Sequence, residues 1–118
     1  MSIIHITAPL AVPSEQFTPA GAAPAVGDAP TVTLFNKEVF GAPDGSVKTG
    51  IWEATPGRFA RAVIDAEFSQ FLAGHATFTT EHGTSFEFRA GDAAYFPPHT
   101  RGVWTIHERL RKTYVVWR

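Results

Sequence analysis

Apolar and polar side chains alternate along this chain in short bursts. Ala76, Phe78 and Thr80 alternate with His75, Thr77 and Thr79, and Phe86 and Phe88 alternate with Ser85, Glu87 and Arg89. Successive side chains of a strand point to opposite faces, so each burst has one apolar and one polar face. Glu81-His82-Gly83 joins the two bursts as a tight hairpin turn, where Gly83 is free to take positive φ. The same reading predicts strands at Val32–Phe35, Lys48–Thr55, Arg58–Asp65, Glu67–Leu72, His75–Thr80, Ser85–Arg89, Ala94–Phe96, Gly102–His107 and Thr113–Trp117. These segments are rich in β-branched and aromatic residues and are separated by Gly, Pro and Asp. Ala90-Gly91-Asp92 is a further turn, and Pro97-Pro98 stops the strand after Phe96. His107–Lys112 (H-E-R-L-R-K) sits between β-like segments and reads as a charged hairpin. No long repeat interrupts the pattern. Short strands with turn punctuation argue for an antiparallel sandwich or barrel.

Residues 1–30 break the pattern. They hold five of the nine prolines (Pro9, Pro13, Pro19, Pro24, Pro30), which prevent a stable helix or a central strand. Ser2–Thr7 predicts one short strand, and the rest reads as an extended arm or linker ahead of a domain at 31–118. Two readings of the arm stay open: a flexible tail, or a segment that packs on a partner subunit.

Composition narrows the function. The chain has 118 residues, enough for one domain. Ten Lys+Arg against 11 Asp+Glu lack the basic excess of a nucleic-acid binder. With no cysteine there is no disulfide, thiolate metal site or thiol nucleophile. No apolar run is long enough for a transmembrane helix, and no Lys or Arg precedes Lys37, as a secretory signal would require. The expectation is a soluble cytoplasmic protein with no nucleic-acid or membrane partner. Ten Phe, three Trp and two Tyr suit a small β core or an aromatic-lined pocket.

Two stretches carry a finer signal. Glu67 stands seven positions before Gly74 in E-F-S-Q-F-L-A-G, and Gly91 six before Pro97 in G-D-A-A-Y-F-P. Around them, in order, lie Trp52, Leu72-Ala73-Gly74, Glu81-His82-Gly83, Trp104 and Leu110-Arg111-Lys112-Thr113-Tyr114. Together these resemble the paired motifs of the cupin superfamily, and in particular the small single-domain cupins related to the ureidoglycine aminohydrolase cupin domain. The resemblance covers about residues 50–117 and implies an all-β jelly-roll barrel, here with an extended N-terminal arm. It also implies a homodimer, because cupins of this size commonly pair.

The departures bear on chemistry. Metal-binding cupins offer His-x-His and Glu from the first motif and His from the second. Here those positions hold Arg61, Val63, Glu67 and Gly102. Three of the four donors are missing, where a divalent site wants three or four. The resemblance therefore implies the barrel without a metal or other cofactor, and does not bring the aminohydrolase activity with it.

If the cupin register holds, Arg61, Val63 and Glu67 face the interior. Arg61 then stands in for the ion, either pairing with Glu67 or binding a carboxylate or carbonyl of a small ligand. The alternative turns Arg61 outward and satisfies Glu67 with backbone N–H groups. Glu67 is a candidate general base, although a nearby arginine would keep it ionised. His99, after Pro97-Pro98, is a candidate acid/base group at the pocket mouth. His82 in its turn and His5 in the arm are expected to be exposed. Trp52, Trp104 and Tyr114 are candidate ligand contacts among aromatics that otherwise pack. Arg101–Arg118 is locally basic, which suits either anion binding or a solvated strand edge. Two functions follow: a metal-independent binding protein for a small polar metabolite, or an enzyme of hydrolase, aminohydrolase or isomerase type. The enzyme would act on a small ureide, amino-acid or carboxylate metabolite.

Overall fold

The computed structural model describes residues 2–118. The strands are β1 (Thr18–Ala23), β2 (Val32–Gly41), β3 (Val47–Ala54), β4 (Gly57–Val63), β5 (Ala66–Thr80), β6 (Ser85–Arg89), β7 (Ala93–Phe96) and β8 (Thr100–Trp117). Every pairing is antiparallel. No helix among the described residues is long and apolar enough to cross a membrane.

The long strands β5 and β8 pair along most of their length and change partners half-way. The first part of β5 pairs with β7 and the second with β6. The first part of β8 pairs with β4 and the second with β3. One layer thus reads β1-β2-β3-β8-β5-β7, and the facing layer reads β4-β8-β5-β6. This is a jelly-roll barrel, as the strand pattern and motifs predict. The crossover falls where the β5–β8 register shifts, between Phe71 and Ala76. Gly74 sits there at φ +96°, and a Cβ would collide with the Arg109 carbonyl oxygen, so the close crossing requires glycine.

The crossover corrects one expectation. His107–Lys112 is not a hairpin; it is the middle of β8, where the strand passes from one layer to the other. The Glu81-His82-Gly83 and Ala90-Gly91-Asp92 turns form as expected, with Gly83 at φ +90° and Gly91 at φ +98°.

Inside, Phe71 stacks on Phe88 at 4.6 Å between centroids, and Trp104 meets Phe78 edge-on at 5.0 Å. Phe59, Phe71, Phe78, Leu110 and Val32 are fully buried.

The N-terminal segment packs on its own chain. Ser2–Thr7 forms no strand, because nothing pairs with it; single turns at Pro9–Ala11 and Ser14–Gln16 follow instead. Thr18–Ala23 then joins the sheet beside β2, with Pro19 on the outermost strand, where a missing N–H is tolerated. Phe17 is buried at the point where the segment meets the sheet.

Candidate functional site

Arg111 and Lys112 are consecutive on β8 and therefore point to opposite faces. Lys112 stands in register between Trp52 on β3 and Phe71 on β5, facing the barrel interior. Its Nζ lies 2.5 Å from Glu67 Oε2, and the side chains are 7% and 6% exposed. Ser69, two residues along β5 on the same face, donates its hydroxyl to that carboxylate oxygen at 2.8 Å. Around the ammonium are the rings of Trp52 at 4.7 Å and of Phe96 and Trp104 at 5.9 Å, placed for cation–π attraction.

The electrostatics of the pair are those of two buried charges that need each other. Burial opposes ionisation of Glu67, but the Lys112 charge and the bonds from Lys112 and Ser69 outweigh it and hold its pKa below the ordinary value. Burial pushes Lys112 down, and Glu67 offsets this only in part. Arg61 acts on both, favouring the Glu67 carboxylate and disfavouring the Lys112 ammonium. A carboxylate held ionised in this way is a weak proton acceptor, which counts against Glu67 as a general base.

The expected residues distribute as follows. Glu67, Trp52 and Trp104 come together around Lys112. Arg61 lies in phase with the buried Phe59 and Val63 on β4, yet its side chain is exposed and makes no ion pair among the described residues. The pairing considered for Arg61 is made by Lys112, and Glu67 is satisfied by side chains rather than backbone N–H groups. Val63 is core. Tyr114 donates its hydroxyl to Asn36 Oδ1 at 2.8 Å, and burial pushes its phenol up. His99 is exposed in the loop between β7 and β8, at φ +64°, with its N–H on the Ile64 carbonyl. His5 and His82 are exposed, as expected.

The donor set does not fit a divalent metal. Arg61, Val63 and Gly102 offer no lone pair, Glu67 is engaged by Lys112, and no group of three His, Asp or Glu side chains among the described residues is placed for coordination. A cation nevertheless sits in the barrel: the ammonium of Lys112, supplied by the chain.

Beside the pair, on the far side of Phe96, a groove of about 550 Å³ opens between β6 and β7. Phe78, Phe86, Phe88 and Phe96 line it, and His99 and Arg101 stand at its edge. That volume lies within the range of small-molecule sites, as does an apolar lining with a few polar groups.

The basic stretch 101–118 is not a solvated edge, because β8 has neighbours on both sides. Arg109 and Arg111 both bind Glu53, with nitrogen–oxygen distances of 2.7 and 2.6 Å. Sequence reasoning passed over Lys112, Ser69 and Glu53. The signal for Lys112 was present: Leu110, Lys112 and Tyr114 share one phase of the strand, so a lysine occupies a core-facing position.

The profile of the EutQ-like cupin domain matches residues 41–114. The chain belongs to the EutQ-like cupin domain family. Among solved structures, this EutQ-like cupin is similar to a DUF861-family protein from Pseudomonas syringae pv. tomato (TM-score 0.74, 22% identity over 85% of this chain). It spans only 43% of that protein's length. The EutQ protein of Clostridium difficile aligns at TM-score 0.64 and 15% identity, over 73% of this chain and 68% of that one. A DUF861-family protein from Thermotoga maritima is 33% identical over 54% of this chain and 73% of its own, at TM-score 0.53. No curated protein matches the chain.

Proposed function

We propose that this EutQ-like cupin binds a small polar metabolite in its barrel without a metal ion. The observation that carries the reading is the buried Glu67–Lys112 pair, which puts a fixed cation inside a barrel whose metal-ligand positions hold Arg61, Val63 and Gly102. The groove beside Phe96 gives the body of the ligand an aromatic wall. Exposed Arg61 and Arg101 supply guanidinium groups for a carboxylate or carbonyl. Trp104 packs against Phe78, Phe88 and Phe96 behind that wall, so its fluorescence reports on occupancy.

The test is a thermal-shift screen of ureides, amino acids and keto acids, followed by calorimetry on each hit. The likeness of residues 50–117 to the ureidoglycine aminohydrolase cupins is the reason ureides are included. A hit should bind unchanged after chelator treatment and weaken on Arg61→Ala or Arg101→Ala. Binding that needs an added divalent metal, or that neither substitution alters, overturns the reading. Consumption of the hit over time would make the protein an enzyme, with His99 at the groove edge as the first acid/base group to replace.

A further inference from the structure

The barrel is closed on one side and open on the other. On the closed side the chain after β1 is tied to β4: Ala25 pairs with Phe59, and the Val26 N–H donates to the Arg58 carbonyl at 2.9 Å. On the open side β6 and β7 each pair only with β5 among the described residues. The groove beside Phe96 lies between them.

The lining of this groove is segregated. Its floor is Phe78, Phe88 and Phe96, all buried, with the Phe96 ring 5.6 Å from Phe78 and 6.2 Å from Phe88 between centroids. Phe86 shares the strand phase of Phe88 and stands opposite Phe78 in register, so it points to the barrel side. Its ring is nevertheless 51% exposed and joins neither of these ring pairs. An inward position on a strand normally buries its side chain; here the ring walls the groove instead. The charged groups gather at one end, where the β5–β6 hairpin meets the loop before β8. Glu81 is the only acid in the lining and has His82 Nε2 at 3.6 Å. Arg101 is the only arginine or lysine in the lining, is exposed, and makes no ion pair among the described residues. Arg61 does not line the groove.

We infer that the ligand of this groove is an aryl-substituted carboxylic acid, with its ring against Phe86 and Phe96 and its carboxylate at Arg101. The inference rests on the reading above that the protein binds a small molecule, and it narrows that ligand to one class in one orientation. The wall selects the body. Any apolar group gains from leaving water, but only a flat ring adds offset-stacked or edge-on contacts with phenylalanines. The end of the groove selects the head. A guanidinium without a partner of its own matches a carboxylate in charge and in its paired donors. A compact ligand that is polar all round would meet the phenylalanine floor with nothing to offer it.

Calorimetry with three probes tests this: 3-phenylpropionate, 3-cyclohexylpropionate and 3-phenylpropanamide. The aryl acid should bind tightest, and the cyclohexyl acid about twofold to tenfold more weakly for want of ring contacts. Phe86→Leu should bring the aryl acid down to the level of the cyclohexyl acid, and Phe86→Tyr should keep it tight. Arg101→Ala should weaken the aryl acid roughly fivefold, as suits a partly solvated ion pair, and leave the amide unchanged. Arg61→Ala should leave all three unchanged. Both Phe86 and Arg101 are exposed, so the urea midpoint should move little in their variants. Equal binding of the three probes, or an aryl acid indifferent to both Phe86→Leu and Arg101→Ala, overturns the assignment. So does a metal-free hit among the ureides when no aryl acid binds, a result that leaves the broader binding reading intact. An aryl acid that needs an added divalent metal, yet still weakens in both variants, upholds the groove assignment and overturns the metal-free reading instead.

Discussion

Arg111 and Lys112 are neighbours in sequence, each buried and each bound to a buried glutamate, yet they do different work. Lys112 turns inward, where its compact charge meets one carboxylate and three aromatic rings. Arg111 turns outward, and its forked guanidinium reaches further: it binds Glu53 and donates to the carbonyls of Pro9 at 3.1, Leu10 at 2.9 and Val12 at 2.6 Å. It also lies over the Phe17 ring, 4.8 Å from the centroid. A lysine has too few directed donors to replace it. A single step along a strand thus separates the charge inside the barrel from the clasp that ties the N-terminal segment down.

Substitutions at both glutamate pairs and a change of pH break this comparison, and the largest effect falls inside. Lys112→Met leaves the Glu67 carboxylate buried without its cation and should cost about 3–5 kcal/mol in urea unfolding, whereas Glu67→Leu combined with Lys112→Met should regain much of that loss. If the single and double variants are equally unstable, the two residues do not act as a pair.

Outside, Arg111→Ala should cost about 3 kcal/mol and free residues 9–17 for proteolysis while the barrel stays folded. Arg109→Ala makes the contrast on the same glutamate: its side chain is 45% exposed, so about 1 kcal/mol or less is expected. Protease resistance of the segment in Arg111→Ala would assign its retention to other contacts.

The smallest effect is in pH. The folded-state pKa of Glu67 lies below its ordinary value of 4.5. Its contribution to stability is therefore full above that value and is lost as pH falls through the depressed one. Urea midpoints should drop on acidification through this window, and the drop should be shallower in the Glu67→Gln variant. Equal slopes in the two proteins would remove Glu67 as a source of acid sensitivity.

How much of this was legible in the sequence depended on whether the signal was local. Alternation from His75 to Arg89 and the Gly83 and Gly91 turns are short-range, and the hairpin follows from them. The crossover at Gly74 is not short-range: it needs β5 and β8 to meet, so each long strand read as two short ones with a hairpin at 107–112. The N-terminal segment failed for a related reason. Its prolines mark what it cannot form, whereas its path is set by Arg111, about a hundred residues further along the chain. At the site, the replacement of metal donors by Arg61, Val63 and Gly102 was implied by the resemblance to the cupin motifs. The partner of Glu67 was not, because Lys112 is far from it in sequence and lay within a run that looked like a charged surface.

The claim on which the rest depends is that Lys112 takes the place of a metal ion in a barrel that binds small molecules. The most direct measurement is elemental analysis of protein grown with added iron, manganese and zinc, performed on the sample used for calorimetry with a screening hit. The account predicts ligand binding at full occupancy with metal far below one equivalent. One equivalent of metal, lost together with ligand binding on chelation, would contradict it.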